Sequence, residues 1–110
     1  MKRIFIFVSV LTVVFFLYGT AYPEQGKKGA GNGKALFEQH CASCHPDGSN
    51  TVNAQKTLHK KDLNANGVKT AGDIVGKMRN PGPGMPKFDK KTIPDKDAKM
   101  IADYILKTFK

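Results

Sequence analysis

Two cysteines separated by two residues and followed at once by a histidine, Cys41-Ala-Ser-Cys44-His45, constrain this chain of 110 residues more than any other stretch. Cys-x-x-Cys-His is the attachment signature of a c-type haem, in which both thiols add to the vinyl groups and the histidine reaches the iron. One turn of backbone then presents two sulfurs to one porphyrin edge and an imidazole to the metal. The motif predicts one covalent haem c, with Cys41 and Cys44 as attachment residues and His45 as an axial ligand.

Other uses of a Cys-x-x-Cys pair have less support in the sequence. A thioredoxin-like pair is expected among alternating strands and helices, and no such pattern surrounds Cys41 and Cys44. A structural zinc ion normally takes four ligands, and the chain has no second cysteine pair. A thiol oxidoreductase remains an alternative function, and in that case Cys41 and Cys44 would be free thiols and no haem would be attached.

The first residues have the pattern of a targeting segment. Lys2 and Arg3 form a positive region, residues 4–18 are predominantly apolar, and residues 19–21 are small. We expect residues 1–21 to be a cleaved signal peptide, because this apolar run is shorter than the roughly 20 residues of a membrane span. An uncleaved anchor is the alternative. Export predicts a periplasmic protein, with residues 22–32 as a flexible leader and residues 33–110 as one domain.

The chain is strongly basic, with 18 lysines and arginines against 9 acidic residues. Without Lys2 and Arg3 the formal charge falls from +9 to +7. Nucleic-acid binding is not expected, since the sequence shows no nucleic-acid module and an exported protein rarely meets nucleic acid. Positive charge around a redox centre instead favours redox-partner proteins with an acidic docking surface. A purely solubilising role for the lysines is the alternative.

Hydrophobic periodicity predicts about four short helices and no strand, hence an all-α fold with long loops wrapped round one haem. The helices are expected at about residues 33–41, 59–63, 70–79 and 94–109. Asn32 is expected to cap the first helix, and Thr70 with Asp73 to form a capping box on the third. Gly33 is a poor helix residue unless another helix approaches closely there. The last helix should bury one apolar side, formed by Ala98, Ile101, Ala102, Ile105 and Phe109.

A second axial ligand decides the function, because an iron held on both faces passes electrons and an open face binds small ligands. Met85 lies in a loop of alternating proline and glycine, residues 81–86, where no hydrophobic period explains it. Prolines reduce the freedom lost on binding, and glycines let backbone pass close to a porphyrin. Met85 is therefore the predicted second ligand. The other candidates have more ordinary explanations. Met78 is expected to pack against apolar neighbours, and Met100 to pack or to be partly exposed. His40 is constrained by the adjacent Cys41, and His59 is expected at the surface beside two lysines.

With both ligands placed, the pattern resembles a class I cytochrome c, and within that class it is most similar to the small soluble cytochromes c6. The resemblance covers most of residues 33–109. It rests on Gly33-x-x-x-Phe37, Asn50-Thr-Val-Asn53, Lys56-Thr-Leu58, Met85-Pro86-x-Phe88 and Ile101-Ala-Asp-Tyr104-Ile-Leu106. It implies that the first and last helices cross, so that Gly33 and Phe37 meet Ile101 and Tyr104.

The sequence as a whole predicts an exported, monomeric electron carrier that catalyses no reaction, with one haem c bound by His45 and Met85. The alternative is a haem-based gas sensor or a cytochrome subunit of a larger redox enzyme, in which Met85 leaves the iron and a small ligand binds.

Overall fold

The computed structural model describes residues 32–110, so the predicted signal peptide and all of the leader except Asn32 lie outside the described residues. Within that range the chain has helices and no strand, which confirms the all-α prediction. A single 3-10 turn, Pro46–Gly48, precedes the second helix. None of the helices between residues 32 and 110 has the length and apolar character needed to cross a bilayer. The part of the chain that the structure describes forms four α-helices: α1 (Gly33–His40), α2 (Lys60–Ala65), α3 (Ala71–Arg79) and α4 (Asp95–Thr108).

Gly33 begins α1 and lies directly against α4. A Cβ atom at Gly33 would overlap the backbone carbonyl of Met100 and lie 2.9 Å from Cβ of Tyr104. Only a residue without a side chain permits this approach, which explains a glycine that helix propensity disfavours. The predicted crossing of the first and last helices is confirmed. The neighbours of Gly33 are Met100 and Tyr104, whereas the resemblance predicts Ile101 and Tyr104.

The core lies where α4 packs against α1 and α3. The predicted apolar side of α4 is buried along its whole length, because its residues recur at the spacing of one helix face. Phe37 of α1 and Ile74 and Met78 of α3 complete the contact. These helices form a scaffold beneath the loops that carry the site.

Phe109, directly after α4, ties the end of the chain to its first half. Its ring centroid lies 5.5 Å from that of Phe37, 6.0 Å from that of Tyr104 and 5.8 Å from that of His59. Gly48 lies beneath the ring with φ +78°, and a Cβ there would come within 2.6 Å of the ring. The turn after the Cys-x-x-Cys-His motif is therefore packed on the last residue of the core.

The helix ends show which local predictions hold. Thr70 Oγ1 accepts a hydrogen bond from the Asp73 amide at 3.1 Å, and Asp73 accepts from the Thr70 amide at 2.9 Å, so the capping box is confirmed. The prediction for Asn32 is wrong in one respect, since its side chain makes no cap bond and only its carbonyl accepts, from the Leu36 amide. The backbone of Asn32 (φ −103°, ψ 23°) is outside the extended region that side-chain caps use.

Candidate haem-binding site

A cavity of about 400 Å³ opens between the Cys-x-x-Cys-His turn, the 50–58 loop, α3 and the proline-rich loop. It brings together all four predicted site residues, Cys41, Cys44, His45 and Met85, although Met85 lies 40 residues after His45 in the sequence. No carboxylate is found among the described residues that line it. Apolar side chains form much of its wall: Leu58, Leu63, Val68, Ile74, Met78 and Ile105. An apolar cavity with a few convergent polar groups is the usual form of a cofactor site, and this donor set fits a haem.

His45 is held in one orientation by the backbone that follows it. Its Nδ1 atom lies 2.8 Å from the carbonyl oxygen of Ser49. A carbonyl can only accept, so Nδ1 carries the proton and Nε2 keeps its lone pair. The Pro46–Gly48 turn places this carbonyl, since the Ser49 amide donates to Pro46. Hydrogen bonds of this kind fix the tautomer and ring orientation of metal-binding histidines, and they leave Nε2 as the atom that can bind iron.

The end of α1 presents the two cysteines in a single turn. The Cys41 amide donates to the carbonyl of Phe37, and the amides of Cys44 and His45 both donate to the carbonyl of Cys41. The backbone thus forms the compact turn that the motif requires. Both cysteine side chains are half-buried thiols.

Neither alternative use of the cysteine pair is favoured by these surroundings. Burial raises the pKa of the Cys41 thiol to about 11, whereas reactive cysteines of thiol oxidoreductases have a lowered pKa. Within residues 32–110 no three histidine, cysteine, aspartate or glutamate side chains are grouped as metal ligands, so this part of the chain offers no zinc site.

Met85 reaches the cavity from a loop whose shape depends on a glycine. Gly84 has φ +87°, and a Cβ there would lie 2.8 Å from Cγ1 of Val52. A side chain at this position would therefore be strained and would collide with the neighbouring loop. Met85 itself is half-buried and lines the cavity.

The other ligand candidates are placed less favourably. His59 and Met100 do not line the cavity, and the His59 ring packs against Phe109 instead. Met78 does line it but is also a core residue, with only 3% of its surface exposed. His40 lines the cavity too, and its position directly before Cys41 limits where its ring can reach.

Three contributors to the site were missed by sequence reasoning. The Ser49 carbonyl that orients His45 has no signature in the sequence, because every residue carries a carbonyl. Lys77 lines the cavity from the last turn of α3, where a basic residue has an ordinary explanation in the helix dipole. Arg79 also has that explanation, yet it donates to the carbonyls of Phe88 and Asp89, which follow the loop that carries Met85.

Comparison with known proteins decides the family. The family model described as "Cytochrome C oxidase, cbb3-type, subunit III" matches residues 29–105. This chain belongs to the class I c-type cytochromes, close to cytochrome c6. It is 36% identical over 106 residues to cytochrome c6 of Nostoc sp., covering 96% of this chain and 93% of the relative. It is 43% identical over 75 residues to cytochrome c6 of Synechocystis sp., covering 68% of this chain and 62% of that longer relative.

Solved structures agree with this assignment. OmcF, an outer membrane cytochrome of Geobacter sulfurreducens, superposes with a TM-score of 0.69 at 47% identity, covering 71% of this chain and 99% of OmcF. Cytochrome c6B of Synechococcus sp. WH8102 superposes with a TM-score of 0.64 at 28% identity, covering 71% of this chain and 88% of the neighbour. The cytochrome c fold is therefore confirmed. Membership implies one covalently bound haem c, and cytochromes c6 are electron carriers rather than enzymes.

Proposed function

We propose that this protein is a monomeric periplasmic electron carrier, in which Cys41 and Cys44 attach one haem c and His45 and Met85 bind its iron. The convergence of these four residues on one apolar cavity carries the proposal. The haem, when bound, supplies an iron that alternates between two oxidation states. The polypeptide supplies two ligands from separate segments and a cavity wall that is largely apolar.

The two ligands are held by different means. His45 is oriented by the Ser49 carbonyl at 2.8 Å. Met85 has a weakly binding thioether, so it depends on a loop whose prolines limit the freedom lost on binding. Ligands that are already in place need little rearrangement when the charge of the metal changes, which suits a carrier better than a ligand-binding sensor.

Covalent attachment can be tested by the mass of the protein made with a haem-attachment system. We expect one haem adduct per chain, and no adduct in a Cys41→Ser, Cys44→Ser double variant. Adduct formation in the double variant would contradict the assignment of these cysteines.

Carbon monoxide binding then distinguishes a carrier from a gas sensor. We expect slow or absent binding to the reduced protein at neutral pH, and rapid binding would favour the sensor.

The charge around the cavity supports a partner with an acidic docking surface. Lys56 and Lys77 line the cavity, and its lining within residues 32–110 includes no carboxylate. Val52, which is 62% exposed, adds an apolar contact at the same place. Such a surface steers a negatively charged partner, and salt weakens the attraction. An anionic oxidant, ferricyanide, serves as the probe. Its reaction should slow in Lys56→Glu and keep its rate in Lys96→Glu, whose position on α4 does not line the cavity; equal slowing in both variants would refute a local effect.

A second candidate is a cytochrome subunit of a larger redox enzyme. It is favoured by the description of the matching family, which names subunit III of a cbb3-type oxidase. Native size separates the two, because a carrier migrates at the mass of one chain and a subunit migrates with its complex. Location needs a separate test, in which a periplasmic carrier is recovered in the periplasmic fraction of the cells. The proposed periplasmic site rests on the signal pattern in residues 1–21, whereas OmcF is named as an outer membrane protein.

A further inference from the structure

Arg79 joins three parts of the chain that meet beside the loop that carries Met85, residues 80–87. It is the last residue of α3, and its Nη1 atom donates to the carbonyl oxygens of Phe88 at 3.0 Å and Asp89 at 3.2 Å. Its Nη2 atom donates to Oδ1 of Asp95, at the start of α4, at 2.9 Å. Next to these bonds, the Phe88 amide donates to the carbonyl of Met78 at 2.9 Å. The bonds to Phe88 and Asp89, with the bond from Phe88 to Met78, fasten the two ends of residues 80–87 to each other. The bond to Asp95 ties α3 to α4 instead.

The loop between these ends has little internal support. Within the described residues, one backbone hydrogen bond forms inside it, from the Met85 amide to the Gly82 carbonyl, and its length of 3.5 Å makes it weak. Pro81, Pro83 and Pro86 have no amide hydrogen to donate. The position of the Met85 side chain therefore depends on how firmly the base of the loop is closed.

Arginine is suited to this closure for a geometric reason. A planar guanidinium offers several donors in fixed directions, so one side chain can bind two carbonyls and a carboxylate, whereas lysine offers a single point charge. The Arg79 side chain is 20% exposed, and its Nε atom is buried with no hydrogen-bond partner among the described residues. A buried unpaired donor is costly.

We infer that Arg79 is a positioning residue for the second axial ligand: by closing the base of the 80–87 loop it holds Met85 towards the iron and sets how readily the sulfur is displaced. The inference rests on the proposed His45 and Met85 ligation. It assigns Arg79 a role in keeping the site closed to outside ligands.

Imidazole binding to the oxidised holoprotein tests the inference, since imidazole must displace the methionine. Arg79→Gln should bind imidazole about tenfold more tightly, the order expected for one hydrogen bond to a charged group, and should lose its far-red sulfur-to-iron band at lower pH than wild type. In Arg79→Lys, the imidazole affinity and the pH of band loss should both change less than in Arg79→Gln. Asp95→Asn keeps both carbonyl bonds and serves as the matched control, with an imidazole affinity within about twofold of wild type.

The outcomes separate a positioning role from a structural one. The inference is overturned if Arg79→Gln lowers the melting temperature but leaves two quantities unchanged. These are the imidazole affinity and the pH at which half of the far-red band is lost. An equal effect of Asp95→Asn would overturn it as well, because the ion pair and not the loop closure would then be responsible. Should Arg79→Gln not fold, Arg79→Lys decides alone: a change in the same direction supports the role, and no change refutes it.

Hydrogen exchange gives a readout that does not depend on the iron ligand. The Phe88 and Met85 amides should exchange about tenfold faster in Arg79→Gln, because the base of the loop opens more often. A wild-type protein without the far-red band would refute the proposed methionine ligation, while unchanged exchange in the variant would refute the role of Arg79. The two failures are thus distinguishable.

Discussion

Replacement of Phe109 by alanine would remove the ring on which the end of α4 and the turn after His45 both rest. The ring is 9% exposed, contacts three other aromatic rings and covers Gly48. Transfer of a buried phenylalanine side chain to water costs about 2–3 kcal/mol. The cavity left behind raises the expected loss to about 4 kcal/mol, because the surrounding α1 and α4 are packed against each other and cannot collapse into it. Phe109→Leu, which keeps part of the volume, should cost about 1.5 kcal/mol.

Guanidinium chloride unfolding of the oxidised holoprotein measures this loss. Helix signal and haem absorption must report the same transition for the free energy to be defined. By heating, the alanine variant should melt roughly 15–30 °C below wild type. Val52→Ala is the control, since that side chain is 62% exposed and its truncation should cost about 0.5 kcal/mol or less. A loss of about 0.5 kcal/mol or less for Phe109→Ala, within the range of surface substitutions, would refute the packing role of this residue.

Three further predictions concern α1 and α3. Gly33→Ala should lower the free energy of unfolding by about 2 kcal/mol, because its Cβ would overlap a backbone carbonyl of α4; an unchanged denaturation midpoint would contradict the close crossing. Gly76→Ala, the same substitution on a helix surface with nothing within 4 Å of the new atom, should raise it by about 0.5–1 kcal/mol, and a decrease in the same assay would be inconsistent with that open surface. Hydrogen bonds from the amides of Lys69 and Thr70 hold the pKa of Asp73 below its ordinary 3.8, so its carboxylate stabilises the fold above that pH and the stabilisation is lost as the pH falls through the lowered value. Asp73→Asn should flatten the acid end of a stability profile, and a profile parallel to wild type would argue against the capping box.

The helices could be predicted because their signals are local. The Thr70 and Asp73 pair lies within one turn, and the apolar residues of α4 repeat along a single face, so neither signal needs knowledge of distant contacts. Gly33 shows the limit of such reasoning. Its low helix propensity indicated that something must approach, and the tertiary structure identifies Met100 and Tyr104 as the neighbours.

The candidate site was only partly predictable for the same reason. Cys41, Cys44 and His45 form a contiguous motif, and Met85 stands out in a loop without periodicity. The Ser49 carbonyl and the Arg79 guanidinium act through hydrogen bonds whose partners are fixed by the folded chain. Residue type at those positions carries no information about such partners.

A spectroelectrochemical titration of the wild-type holoprotein beside Met85→Ala tests the central claim most directly. We expect wild type to show one reversible one-electron step, with a far-red sulfur-to-iron band in the oxidised form. We expect Met85→Ala to lack that band and to have a lower potential, because the thioether no longer stabilises the reduced iron. An unchanged spectrum and potential in the variant would show that Met85 does not close the second face of the iron.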